Sequence, residues 1–316
     1  MTRVTAQDVA EAAGVSLTTV DRVLNNRKGV REQTVERVLE AMERLNFVRD
    51  QTAANLARGR SYLFHFIVPS GETAFFGDIR AEIEAAKPHA AKERIEIDMR
   101  VVPPLDPEAI VHCIDELGDD VGDGLALVAT ESQIVRDAIN GLRARGVHVV
   151  TFISDLPASA RERFVGIDNV AAGRVAASLL KRFIAAPSGD VVVVAGSGTL
   201  RDHVERRMGF EQVMRAECPH LNVLPWIEGE ETADIVENKL SSLLAENPDV
   251  VGVYSLGGGT RGVIEAIKAA DHPLRTVTTE LSRHTRAALI SGDIDAVLVQ
   301  DPSHEVRSAI RVLKAL

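Results

Sequence analysis

The 316-residue chain has only two cysteines, Cys113 and Cys218, far apart and in no CxxC. That excludes a disulfide framework and a cysteine-built zinc site, and leaves two buried thiols in a reducing compartment. No apolar run approaches the roughly 20 residues of a membrane span. The N-terminus lacks a signal-peptide pattern, because a capped polar helix begins at once, so a cytoplasmic protein is expected. Catalytic signatures are missing as well. There is no GxSxG, no GxxxxGK followed by Ser or Thr, and no HExxH, and the nine histidines have no ligand spacing. His148, inside an apolar strand, reads as a satisfied core residue. Gly196-Ser197-Gly198 follows a strand and precedes a helix, like the start of a dinucleotide fingerprint, but Arg201 stands where the third glycine belongs. Backbone turns at strand ends are the simpler account. Neither an enzyme nor a metal or cofactor site is expected.

What the chain has is the composition of an ordinary globular protein, 45% hydrophobic and 26% charged, with a net charge of −10. Residues 1–60 hold ten Lys/Arg against eight Asp/Glu, a net +2, which leaves −12 for the remainder. A small basic end on an acidic body would confine nucleic-acid contact to that end.

Within that end, Thr5 to Asn25 reads as two short helices broken by a glycine turn. Thr5 and Ser16 are good N-caps, and Asp8 completes a near capping box with Thr5. Val9 and Ala13, then Val20, Val23 and Leu24, give each helix one buried face, and Gly14 sits where the turn needs positive φ. A third helix is predicted over 31–45, with Val35, Val38, Leu39 and Met42 as its apolar face. A helical bundle at the end of an enzyme is the plain alternative. However, the order Asp8-Val9-Ala10, Ala13-Gly14-Val15-Ser16, Thr19-Val20 and Arg22-Val23-Leu24-Asn25 resembles the DNA-binding headpiece of the LacI/GalR family of bacterial transcription regulators. The resemblance implies operator contacts from Thr5, Ser16, Leu17, Thr18, Arg22 and Asn25, with the second helix in a major groove. Asp21 and Arg31 replace the hydroxyl residues usual in the family, and an acid on the DNA-facing helix needs a nearby cation.

Residues 50–61 are polar and alanine-rich, ending at Gly59, and fit either a flexible linker or a one- to two-turn helix. The family resemblance implies a hinge helix, its Ala53 and Leu56 matching the Ala-x-x-Leu pattern. Leu56 would wedge into the minor groove at the operator centre, paired with its copy in a dimer. Arg49 and Asp50 replace the Pro-Asn pair often found at its start.

From Tyr62 onward short apolar runs alternate with helical stretches: Phe64–Val68, Ile95–Val102, Leu125–Val128, Val147–Phe152, Phe164–Ile167, Val191–Ala195, Val223–Ile227, Val250–Tyr254, Thr276–Thr279 and Ala296–Val299. Such runs signal parallel α/β sheet covered on both faces, and ten strands suit two subdomains. The crossings are expected at Asp168-Asn169 and Gln300-Asp301-Pro302. The layout resembles the periplasmic sugar-binding-protein fold of the same family's effector domain. The expected organisation is a helix-turn-helix headpiece over 1–48, a hinge over 49–61, and an effector domain over 62–316. That domain divides into an N-subdomain (62–168 plus 301–316) and a C-subdomain (169–300). The family's chain usually runs past the helix that ends at Leu316, through a last strand and third crossing.

Ligands of open α/β sheets sit at the carboxyl ends of strands. Phe75 and Phe76 resemble the family's Asn-x-Phe-Phe segment, where a ring stacks on a sugar face, although a core phenylalanine is the alternative for either. Ser154-Asp155 ends the fourth strand. Arg206, four residues before Phe210, matches a family arginine that could fork onto two oxygens, or it is a solvated arginine beside Arg201 and Arg207. Glu280 and Gln300 stand at further strand ends. Ser255 to Gly259 departs from the Asn-Asp common in relatives, so no particular effector carries over. The expected protein is a dimer, or a tetramer built from it, with no membrane association. It binds operator DNA and a sugar, polyol or related effector. A solute-binding protein of the transport kind is the alternative.

Overall fold

In the computed structural model, the described residues are 4–24, 28–45, 47, 61–71, 73–118 and 121–316. They form two compact units, with the boundary along the chain between Ser61 and Tyr62. Asn25, Leu56 and the expected hinge over 49–61, except Ser61, lie outside the described residues.

The first unit holds α1 (Ala6–Ala13), α2 (Leu17–Leu24) and α3 (Glu32–Arg44). Thr5 caps α1 as predicted: its Oγ1 accepts from the Asp8 N–H at 3.3 Å while Asp8 Oδ2 accepts from the Thr5 N–H at 2.7 Å. Gly14 ends the helix at φ 62°, a left-handed conformation that costs glycine little. Ser16 Oγ then accepts from the Thr19 N–H at 3.2 Å, starting α2. The Arg37 side chain of α3 donates to the Ala13 and Gly14 carbonyls, tying the third helix to the end of the first. Val9, Ala13, Val20, Val23, Val38 and Ala41 make the core. Leu39 is a correction to the predicted face, being 51% exposed. With about 100° between successive residues, it lies a quarter-turn from Val38, while Ala41 points inward instead.

The second unit runs β1 (Tyr62–Pro69), α4 (Ala74–Lys92), β2 (Ile95–Val102), α5 (Pro107–Glu116), β3 (Gly124–Leu127), α6 (Gln133–Ala144), β4 (His148–Phe152) and β5 (Arg163–Val165). It continues through α7 (Asn169–Phe183), β6 (Gly189–Ala195), α8 (Arg201–Glu217), β7 (Leu221–Val223), β8 (Ile227–Glu228), α9 (Ala233–Glu246) and β9 (Val250–Ser255). The last elements are α10 (Thr260–Ala269), β10 (Arg275–Thr279), α11 (Arg283–Ser291), β11 (Ala296–Leu298) and α12 (Pro302–Ala315). Two parallel sheets result, ordered β2-β1-β3-β4-β5 and β11-β10-β9-β6-β7, with β8 also on β6. The run Val223–Ile227 divides into two strands around Pro225, which has no N–H to give the ladder.

Both faces of each sheet are buried, which is why the strands read as unbroken apolar runs. Phe64, Phe66 and Val68 face one core of the first sheet and Ile67 the other. Val191 and Val193 face one core of the second sheet, Val192 and Val194 the other. The chain changes sheets twice. Asp168 caps α7, its carboxylate accepting from the Ala171 N–H at 2.9 Å. Asp301 caps α12 through the His304 N–H at 3.0 Å, and Val306, Ala309 and Leu313 then pack in the first sheet's core. Cys113 and Cys218 are buried free thiols. His148 is part-exposed and meets the Glu162 carboxylate at 2.9 Å.

Candidate functional site

In the first unit, burying Val20 and Val23 turns the opposite face of α2 outward. Leu17, Thr18, Asp21 and Arg22 are all exposed there, as are the capping residues Thr5 and Ser16. One short helix thus presents a hydroxyl, a guanidinium and an apolar side chain to solvent.

In the second unit, an open cleft of about 930 Å³ lies between loops of the two sheets. Ser70, Ala74 and Phe76 line it from the first half, and Glu231, Thr232, Glu280 and Arg283 from the second. A smaller recess shares Phe76, Glu231 and Glu280 with it and reaches Phe75, Ser154, Asp202, His203, Arg206 and Gln300. The halves also touch directly: the Glu131 N–H donates to the Thr199 carbonyl at 2.8 Å, and the Arg201 N–H to Ser154 Oγ at 3.1 Å.

Arg206 is 2% exposed, and close helix packing puts it there. A Cβ at Gly209 would lie 2.0 Å from the Val170 carbonyl oxygen, and one at Gly173 would lie 1.9 Å from that of Arg206. Only glycines let α7 and α8 meet backbone to backbone. The guanidinium then reaches Asn169 Oδ1 with Nε at 2.9 Å and the Leu256 carbonyl with Nη1 at 2.7 Å. The Gln300 amide, oriented to satisfy its neighbours, accepts from Arg206 Nη2 at 2.8 Å and donates to Glu305 at 3.1 Å. Three of five N–H donors are thereby held, and two remain for a fork.

Around this one cation stand Asp202, Glu231, Glu280 and Glu305. Burial pushes the Glu231 carboxyl up to about 8, with Glu280 and Asp202 adding to the rise and Arg206 opposing it. Glu280 and Glu305 rise to about 7, again chiefly from burial and against the pull of Arg206. His203 is pushed down by burial, and its Nδ1 accepts from the Ser197 N–H at 3.3 Å, so the imidazole is neutral. Glu230, Glu231 and Glu280 hold left-handed φ of 51°, 58° and 72° at strand ends. Such strain is tolerated where the surroundings fix it, commonly at binding sites.

The glycine loop at 196–198 belongs to the same site. A Cβ at Gly196 would fall 1.5 Å from Glu231 Oε1, and one at Gly258 would fall 2.5 Å from it. The Gly198 N–H donates to Glu228 Oε2 at 3.2 Å. Carboxylates therefore occupy the ground a nucleotide phosphate would need.

Of the residues singled out from sequence, Phe75, Phe76, Arg206, Glu280 and Gln300 come together here. Phe75 is mostly core, meeting Phe76 edge-on at 5.6 Å, while Phe76 forms the cleft wall. Asp155 stands apart. Its oxygens accept from Arg161 at 2.6 Å twice, from Thr151 at 2.5 Å and from the Leu156 N–H at 2.8 Å. Burial works against its charge, but Arg161 and Thr151 outweigh that and hold the carboxyl below its ordinary value. Sequence reasoning missed Asp202, His203, Glu231 and Glu305. The first two lie one helical turn before Arg206, and Glu231 follows an expected strand, so helical spacing and the strand-end rule both pointed at them.

Residues 64–316 match the family described as periplasmic binding protein domain, and residues 5–50 match the bacterial regulatory proteins of the lacI family. The HTH-type transcriptional regulator YkvZ of Bacillus subtilis (strain 168) is 41% identical over 80 residues, 25% of either chain. The HTH-type transcriptional regulator DegA of the same organism is 25% identical over 213 residues, covering 67% of this chain and 61% of DegA. The chain thus spans a quarter to three fifths of these relatives. The crystal structure of GanP, a glucose-galactose binding protein from Geobacillus stearothermophilus, superposes with a TM-score of 0.73 at 21% identity. It covers 80% of this chain and 90% of GanP, a likeness of fold.

Proposed function

We propose, since the chain belongs to the periplasmic binding protein domain family and carries a lacI-family regulatory domain ahead of it, that it is a ligand-responsive DNA-binding transcription regulator acting as a repressor. The observation that carries this reading is a single one. The same chain joins a capped two-helix motif with an exposed second helix to a polar cleft built at strand ends.

In this reading residues 1–48 bind the operator through Thr5, Ser16, Leu17, Thr18, Arg22 and Asn25. Residues 49–61 form a hinge whose Leu56 enters the minor groove. The protein works in the cytoplasm as a dimer on a near-palindromic site. Phosphate contacts supply position and α2 supplies base readout. The effector domain takes a sugar or polyol, with Phe76 against its apolar face, the free Arg206 donors and Gln300 on its oxygens, and Glu280 accepting from hydroxyls. Phe75 backs Phe76, and Asp155 shapes the loop through Arg161. Cleft closure changes the spacing of the paired hinges, and DNA must alter effector affinity by the same factor in return.

Selection of the full chain against random duplexes, followed by mobility shifts with a sugar and polyol panel, tests this. A near-palindromic site whose affinity moves with a panel member is expected. Binding no tighter to selected than to random duplex would overturn it in favour of a solute-binding protein.

A further inference from the structure

We infer that the effector carries a positively charged amine, as an amino sugar or amino polyol does, and that the ammonium docks between Asp202 and Glu231. The inference rests on the cleft being the effector site of the proposed regulator, and it adds the charge of the ligand to that reading.

Two buried oxygens in the recess have no hydrogen-bond partner, Asp202 Oδ1 and Glu231 Oε1. Asp202 is 5% exposed and both residues line the recess. Orphaned acceptors of this kind are costly unless a ligand supplies donors. The charge inventory says which donors. Asp202, Glu231, Glu280 and Glu305 share one buried cation, Arg206, whose Nη2 lies 3.6 Å from Asp202 Oδ2 and three of whose donors are already held by Asn169, Leu256 and Gln300. The remaining charges do not restore the balance. His203 is neutral, Glu228 adds negative field to it, and Asp78 and Asp301 do the same to Glu280 and Glu305. At the mouth Arg261 is paired with Asp234 at 2.9 Å, and Arg283 donates to His284 at 3.1 Å. A neutral hydroxyl can satisfy an orphaned oxygen but leaves Glu231 protonated. An ammonium brings three N–H donors together with a positive charge that lets Glu231 ionise.

Ammonium binding therefore has a proton signature. Near neutrality the Glu231 carboxyl holds its proton in the empty cleft. The arriving cation favours the carboxylate, and the proton passes to the buffer.

The test is calorimetry on the full chain at about pH 7, in phosphate and in MOPS, whose ionisation heats differ and neither of which is an amino polyol. The probes are matched pairs: 1-amino-1-deoxy-D-glucitol with D-glucitol, and D-galactosamine with D-galactose and N-acetyl-D-galactosamine. The expected result is at least tenfold tighter binding of an amine than of its neutral partners. Net proton release should accompany the amine only, and Glu231→Gln should shrink both the preference and the release. The wild-type proton count needs no variant, so poor folding of Glu231→Gln would not blunt the test. Neutral partners binding as tightly as the amines would overturn this inference and leave the polyol reading standing. An amine that binds without releasing a proton would overturn the Glu231 docking. Binding of neither series would overturn both readings together.

Discussion

Replacing Glu231 by Gln should make the second unit more stable at alkaline pH, and the size of the gain follows from the cleft. Burial lifts this carboxyl from 4.5 to about 8. Below 4.5 it is protonated in both folded and unfolded chains and costs nothing. Between 4.5 and about 8 it ionises in the unfolded chain but keeps its proton in the fold, so rising pH favours unfolding. Above about 8 the penalty levels off, at on the order of 5 kcal/mol for a displacement of that size. Glutamine keeps the shape and removes the ionisation. The assay is urea unfolding across that pH range, followed by the fluorescence of Trp226. It is the only tryptophan in the chain, so the signal reports the second unit alone. With urea slopes of about 1–3 kcal/mol per molar, the midpoint of the variant should gain more than about one molar on the wild type by alkaline pH. Wild type and variant should both retain a slope from Glu280 and Glu305, so the difference between the two curves carries the prediction. Curves that run parallel from acid to alkaline pH would refute the claim that Glu231 is held uncharged by its burial.

Gly209→Ala should cost about 1–3 kcal/mol or more and weaken effector binding, because the added methyl meets the Val170 carbonyl at 2.0 Å and pries Arg206 from Asn169. Gly141→Ala, at an exposed position of α6 with nothing within 4 Å, should instead stabilise the protein by about 0.5–1 kcal/mol and so raise the urea midpoint, and equal losses in the two variants would contradict the packing argument. Arg22→Ala should cost about 1–3 kcal/mol of operator affinity per base pair it reads, with effector affinity retained; mobility shifts that match the wild type would remove α2 from the interface. Leu56→Ala should reduce DNA bending and specific affinity, and hydrogen exchange across residues 50–60 should slow on operator DNA. Equal exchange with and without operator would make that segment a tether.

The legible parts of this protein are those governed by neighbours in sequence. Thr5, Asp8, Gly14 and Ser16 act within one helical turn, so caps and turn could be read directly, and the exposed face of α2 followed from the burial of Val20 and Val23. The apolar runs likewise announced a sheet covered on both sides, because alternate residues of one strand enter two different cores. The miss at Leu39 shows the limit of periodicity: an apolar residue at i+4 satisfies the pattern, yet which third of the helix turns inward is set by its partners. Arg206 could be singled out, but not its condition. Whether it is a solvated arginine or a buried one depends on Gly173 and Gly209 letting two helices touch.

Caps, periodicity and turn chemistry are short-range, so the helix-turn-helix, the paired α/β halves and the strand ends where a ligand would sit are all legible along the chain. What those ends hold in common is set by packing. Asp202 and Glu305 sit in the first turns of α8 and α12, Glu231 and Glu280 follow β8 and β10, and packing brings all four around Arg206. Asp155 shows the same division, placed at a strand end by sequence and drawn away from the cleft by Arg161. Spacing along the chain carries no information about such meetings, because the free energy that orders them is the burial of two sheets, and the charges are carried there by the fold.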